Sequence, residues 1–140
     1  MKKSTDNLWN DMLKTDNVKD FFKENSEDII FNGLEELFEH HVKSKKLKKK
    51  DVYENSLINR EFGYQIISGR RGATRDKIIQ LCFGLKLDLP ETQQFLKTSG
   101  NRELYLRDPR DAVVVFAIKD RKSLVEANLE LEKQGFKIFE

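Results

Sequence analysis

The residues whose types could support acid–base, metal or thiol chemistry are few and poorly spaced for it. His40 and His41 are adjacent, so on a helix their side chains point about 100 degrees apart and make a poor pair of metal ligands. We expect both histidines at the surface. The single cysteine, Cys82, lies in the apolar run IIQLCFGL, which indicates a buried small hydrophobe more than a reactive thiol.

A second group of chemically capable residues, Asp108, Arg110 and Asp111, is typical of a helix cap with charge pairs. The sequence contains neither a glycine-rich phosphate loop nor a nucleophile elbow. It therefore predicts a protein that is not an enzyme, with no metal site, no cofactor and no small-molecule substrate.

The lysines and arginines do carry a signal, because their excess is confined to one part of the chain. Residues 1–39 hold 5 Lys and Arg against 10 Asp and Glu, residues 40–77 hold 11 against 4, and residues 78–140 hold 10 of each. A basic block commonly serves phosphate groups. For the run KSKKLKKK alone, a solvated lysine-rich loop is an equal alternative. The block favours phosphate because it continues into Arg70, Arg71 and Arg75.

Cap residues and apolar spacing predict that helices position this block. The predicted helices are two short ones at the Thr-Asp-Asn triplets 5–7 and 15–17, three over 32–44, 49–56 and 60–68, and four that follow Thr74, Asp88, Asp108 and Ser123. The run AVVVFAI after Asp108 is also typical of a strand, and the closing FKIFE is expected to be a short extended tail.

The same composition predicts an all-α protein of the cytoplasm. No apolar run is long enough to cross a membrane, and the opening residues MKKSTDNLW lack the apolar core of a signal peptide. We therefore expect no membrane contact.

Two short helices joined by a turn of three or four residues, with basic residues after the second, follow the helix-turn-helix plan. From Leu47 to Glu91 the sequence resembles the lambda-repressor/Cro-like family, also called the XRE-type helix-turn-helix family. The runs FGYQIISGRR at 62–71 and RDPRDAVVVFA at 107–117 resemble those of small bacterial proteins in this family. The resemblance implies a lambda-repressor-like helical bundle, with an acidic N-terminal helical segment at 1–30, a DNA-binding domain at 31–100 and a C-terminal helical pair at 101–140.

In that family, the helix that matches Arg60 to Ser68 enters the major groove of DNA. Carried over by position, the residues that would reach base edges are Asn59, Arg60, Glu61, Tyr64 and Gln65. For Tyr64 and Gln65, an ordinary exposed helix face is an equal alternative. The residues that would hold phosphates are Lys49, Lys50, Arg70, Arg71 and Arg75. The resemblance thus implies a transcriptional regulator that binds double-stranded DNA at specific sequences.

Several positions depart from the family pattern. Lys49, Tyr53, Leu57 and Gly63 stand where the family has Gln, Ala, Gly and an aliphatic residue. We hypothesise that the missing side chain at Gly63 makes room for the ring of Tyr53, at a helix-propensity cost of roughly 1 kcal/mol. Glu61 also stands out, because a carboxylate repels phosphate unless it accepts a hydrogen bond from cytosine.

Two interpretations involve protein partners. The helix after Asp108 offers a homodimer or partner surface, although a place in the core is the favoured interpretation of its residues Val113, Val114, Val115, Phe116 and Ile118. The alternative function is an adaptor that keeps the helix-turn-helix frame and binds a protein through Phe62, Tyr64 and Ile67. Salt dependence separates this alternative from DNA binding, which weakens steeply as salt rises.

Overall fold

The computed structural model describes residues 4–24 and 33–140, and every regular element in these residues is an α-helix. The chain divides into two compact units, residues 1–31 and 32–140. The all-α prediction is confirmed for the described residues, whereas the predicted domain boundary at residues 30–31 lies outside them. No helix in the described ranges is both long and apolar enough to cross a membrane.

In the first unit, the described residues 4–24 form two short helices, α1 (Thr5–Lys14) and α2 (Val18–Glu24). Ser4 caps α1, since its hydroxyl accepts from the backbone N–H of Asn7 at 3.2 Å. The cap therefore lies one residue before the predicted triplet at 5–7. At α2 the second triplet does supply the cap, because the Asn17 side-chain oxygen accepts from the Asp20 N–H at 2.8 Å.

The second unit contains seven described helices whose starts follow the predicted caps closely. They are α3 (Gly33–Ser44), α4 (Lys49–Asn55), α5 (Arg60–Ile67), α6 (Arg75–Gly84), α7 (Leu89–Thr98), α8 (Pro109–Lys119) and α9 (Leu124–Lys133). Side chains cap the helices as expected at Asn59, Thr74, Asp88, Asp108 and Ser123. Asp88 with Glu91, and Ser123 with Glu126, form full capping boxes.

Helix α6 lies at the centre of this unit and packs on α4, α7 and α9. Its residues Ile79 and Leu81 are fully buried, and Cys82 is buried as predicted. The approach of α4 is close because Gly84 has no side chain. A Cβ at Gly84 would overlap the Val52 carbonyl oxygen and the Ser56 hydroxyl. Glycine at this position therefore sets the spacing between α4 and α6.

All seven helices of the second unit end in the same way. The second residue beyond each helix has a positive φ, and the residue after it donates its N–H to a carbonyl in the last turn, which satisfies carbonyls at the helix end. Glycine occupies this position after α5, α7 and α9, as predicted for α5 and α9. The other helix ends carry the non-glycine residues Lys46, Leu57, Lys86 and Arg121.

The run AVVVFAI belongs to helix α8, so the alternative prediction of a strand is wrong. Of the five apolar residues offered above for a partner surface, only Phe116 is exposed. Val114, Val115 and Ile118 are buried in the core because α8 packs on both α7 and α9, and Val113 is half-buried.

The closing residues 136–140 have no regular secondary structure. The Asn128 side chain holds this tail, because it donates to the Phe139 carbonyl at 2.9 Å and accepts from the Phe139 N–H at 2.8 Å. The Phe139 ring is buried.

Candidate nucleic-acid interface

Helix α5 presents a row of polar side chains to solvent, and its other face is buried. Arg60, Glu61 and Tyr64 are exposed and Gln65 is half-buried, whereas Ile66 and Ile67 belong to the core. The turn of residues 56–59 joins α5 to α4. The structure thus brings four of the five predicted base-reading side chains onto one short helix.

Asn59, the fifth of these residues, caps α5. Its side-chain oxygen accepts from the N–H groups of Glu61 and Phe62 at 2.9 and 3.3 Å. That oxygen is therefore engaged within the protein, and the amide group of Asn59 can offer a ligand only its N–H donors.

The turn that follows α5 carries two exposed arginines that lean on the helix. The Arg70 guanidinium lies 5.8 Å from the centre of the Tyr64 ring, and the Arg71 guanidinium lies 5.3 Å from the centre of the Phe62 ring. These are cation–π distances. Within the described part of the chain, neither arginine forms an ion pair with a carboxylate. Both cations are therefore positioned and available to an external anion.

The lysines at the start of α4 are exposed as well. Lys49 forms an ion pair with Glu39 of α3 at 2.5 Å, and both side chains are well exposed. A surface ion pair of this kind contributes at most about 1 kcal/mol, so a phosphate can compete for Lys49. Lys50 is exposed beside it.

Arg75 differs from the other predicted phosphate contacts because the protein itself uses it. Its guanidinium makes a bidentate contact with Asp111, at 2.9 and 2.7 Å, and donates to the carbonyls of Arg102 and Glu103 at 2.8 and 2.9 Å. Four of its five N–H donors are thus satisfied internally. Arg75 therefore ties α6 to α8, and the prediction that it holds a phosphate is corrected: Arg75 is not part of the candidate interface.

A second ion pair mirrors the first. Arg110 of α8 makes a bidentate contact with Asp76 of α6, at 2.9 and 3.1 Å, and stacks 4.6 Å from the centre of the Phe139 ring. The Arg-Asp dipeptide that starts α6 therefore pairs reciprocally with the Arg-Asp dipeptide at the start of α8. The sequence indicated charge pairs at 108–111 but did not identify their partners. The repeated dipeptide was the available signal.

Acidic side chains border the same region. Glu35 and Glu39 of α3 and Glu61 of α5 line a groove of about 440 Å³ beside Tyr64. Tyr53 lines the groove too, and burial raises the pKa of its phenol. Lys49 and Arg60 line the same groove, so its charges are of both signs, whereas Arg70 and Arg71 of the turn after α5 do not line it.

The prediction of two surface histidines is wrong for His41, which is only 3% exposed. Both ring nitrogens of His41 lack hydrogen-bond partners among the described residues, and Nδ1 lies 3.7 Å from the Glu91 carboxylate. His41 is buried because α3 packs against α7 at this point. His40 is exposed. In the described ranges, no group of three or more His, Cys, Asp or Glu side chains could hold a metal ion.

Burial of His41 predicts a stability that depends on pH. Burial lowers the pKa of His41, and Glu91 opposes this shift only in part. Below the ordinary pKa of 6.5, the unfolded chain binds a proton that the folded protein resists. The free energy of unfolding should therefore fall as the pH drops below about 6.5, by at most about 1.4 kcal/mol per pH unit for this group.

Urea unfolding between pH 7.5 and 5.5 checks this expectation. His41→Leu should flatten the pH dependence, and the matched variant His40→Leu should retain most of it, because burial, and not the neighbouring His40, is the largest cause of the lowered pKa of His41. Parallel pH profiles for the native protein and His41→Leu would contradict it.

Comparisons of the chain with protein-family models, with curated proteins and with solved structures found no match.

Proposed function

We propose that this chain is a sequence-specific DNA-binding protein, a lambda-repressor-like transcriptional regulator in which α4 and α5 form the helix-turn-helix. Helix α5 would enter the major groove, with Arg60, Glu61, Tyr64 and Gln65 toward the base edges. By geometry, Arg60 suits guanine and Gln65 suits adenine. Lys49, Lys50, Arg70 and Arg71 would hold the phosphates on either side.

One observation carries this proposal: Arg70 and Arg71 are fixed against the rings of α5 and have no ion-pair partner in the described residues. By contrast, Arg75, Arg110 and Lys45 all pair with carboxylates. Two neighbouring cations that the fold positions without neutralising them suit a polyanion, because each phosphate they neutralise releases counterions.

Fluorescence anisotropy on a random DNA duplex across a salt series tests the proposal. We expect binding that weakens steeply as salt rises. Arg70→Ala/Arg71→Ala should make the logarithmic salt slope shallower by about one to two units, since each lost phosphate contact accounts for about 0.9. The control is Lys97→Ala/Lys137→Ala, which removes the same charge from two exposed lysines elsewhere and should leave the slope nearer its native value.

The absence of any binding at low salt would contradict the proposal and favour the protein-binding adaptor. One of the three residues that this alternative uses to contact a protein partner is not accessible, because Ile67 is only 4% exposed. Tyr64, at 53% exposed, remains open to a partner, and Phe62 is half-buried under Arg71.

A further inference from the structure

The outer faces of α8 and α9 form a second surface, which the DNA-binding proposal does not use. They enclose an open groove of about 630 Å³. Phe116 of α8 and Leu129 of α9 line it and are 55% and 63% exposed. Ala112, Ala117 and Ala127 also line the groove, and their small side chains leave a depression between Phe116 and Leu129. Apolar side chains that are exposed singly are ordinary, whereas these two line one depression that is shared by two helices.

Charged residues of both signs border this groove. Asp120, Glu126 and Glu130 are acidic, and Lys122 and Lys133 are basic. A third lysine, Lys119, lies 4.9 Å from the centre of the Phe116 ring. A partner of one dominant charge would favour a border of the opposite sign, whereas this border holds three acidic and three basic residues, of which Lys122 and Glu126 lie 3.9 Å apart as an ion pair.

We infer that the groove between α8 and α9 is the contact through which two copies of this chain associate. A two-fold axis places each residue of the surface opposite a different residue of the same surface, so a border with both signs can complement itself. Phe116 and Leu129 of each copy would then fill the groove of the other. The two helix pairs would form a four-helix contact with an apolar centre and a charged border.

Sedimentation equilibrium of the full chain, without DNA, tests this inference. We expect a monomer–dimer equilibrium at micromolar concentrations, and we expect Phe116→Glu to weaken the dimer at least 100-fold. The matched control is Leu106→Glu, since Leu106 is 64% exposed and does not line the groove. Leu106→Glu should dimerise like the native protein. A monomer at every concentration, or equal effects of the two variants, would overturn the inference.

A charge exchange tests whether the surface pairs with itself. Asp120→Lys/Glu130→Lys makes the border basic, and Lys122→Glu/Lys133→Glu makes it acidic. Each variant alone should be monomeric because like charges would meet across the axis, and an equimolar mixture should form a heterodimer. If the mixture remains monomeric while both variants keep the native far-ultraviolet circular dichroism, the inference fails.

Because these measurements contain no nucleic acid, their outcome is distinguishable from failure of the DNA-binding proposal. A dimer that shows no salt-dependent DNA binding would support the interface and contradict the proposed function. A monomer that binds DNA would do the reverse.

Discussion

Replacing Asp111 by alanine is expected to lower the free energy of unfolding by about 3–5 kcal/mol, the usual cost of removing one partner from a buried ion pair. The Asp111 side chain is only 2% exposed. It accepts both hydrogen bonds of the Arg75 bidentate contact and also the Tyr105 N–H at 3.0 Å. Without this carboxylate, the Arg75 charge and the Tyr105 N–H would both lose their partner.

The mirrored ion pair supplies the control. Asp76 and Arg110 are 26% and 21% exposed at their side chains, so water can replace part of a lost contact. Asp76→Ala should therefore cost clearly less than Asp111→Ala in urea unfolding. The double variant Arg75→Met/Asp111→Ala should be no less stable than Asp111→Ala, since it leaves no charge without a partner. Equal costs for Asp76→Ala and Asp111→Ala would show that burial of Asp111 does not decide the effect.

Gly63→Ile is expected to cost about 3 kcal/mol or more, the upper end of the range for overpacked sites. A Cβ at Gly63 would lie 2.5 Å from Cε1 of Tyr53, and the Tyr53 ring cannot move aside freely because it is buried and stacks on Phe38. The close approach of Tyr53 to Gly63 supports the exchange that the sequence suggested. In a Tyr53→Ala background the space is empty, and the same substitution should cost several times less.

Urea unfolding of the four proteins in this cycle measures the coupling between the two positions, which should exceed about 1 kcal/mol. Gly72→Ile is the matched control, because a Cβ at Gly72 meets no atom within 4 Å and the cost should be small. Simple additivity of Tyr53→Ala and Gly63→Ile would mean that the ring and the glycine do not compensate each other.

Sequence reasoning located most helix starts because their signals are local. The Asp88–Glu91 and Ser123–Glu126 boxes, for example, are complete within four residues of sequence. The internal ion pair of Arg75 was not predictable in this way. Its partner Asp111 lies 36 residues away, and the two residues meet because α8 packs on α7 and α9, which both pack on α6. Arg75 therefore looked equivalent to Arg70 and Arg71 in the sequence.

The burial of His41 was hidden for a similar reason. His40 and His41 are adjacent but face different directions on α3. Helix α7 packs against α3 and buries His41, whereas His40 remains exposed to water. On α5, by contrast, helical spacing alone places Arg60 and Tyr64 outward and Ile66 inward. The exposed residues of the candidate interface were therefore predictable from the sequence, whereas the ion pair of the neighbouring Arg75 with Asp111 was not.

The common helix ending leaves this chain with room to become more heat-resistant without any change in its core. Each non-glycine residue held at positive φ carries a conformational cost of about 1 kcal/mol. At Lys46, Lys86 and Arg121 a cation beside the negative pole of the helix offsets part of that cost. Leu57 has no such compensation, and its side chain is 46% exposed. A single substitution at Leu57, in the turn between α4 and α5, is thus the change at these helix ends that can raise thermal stability the most.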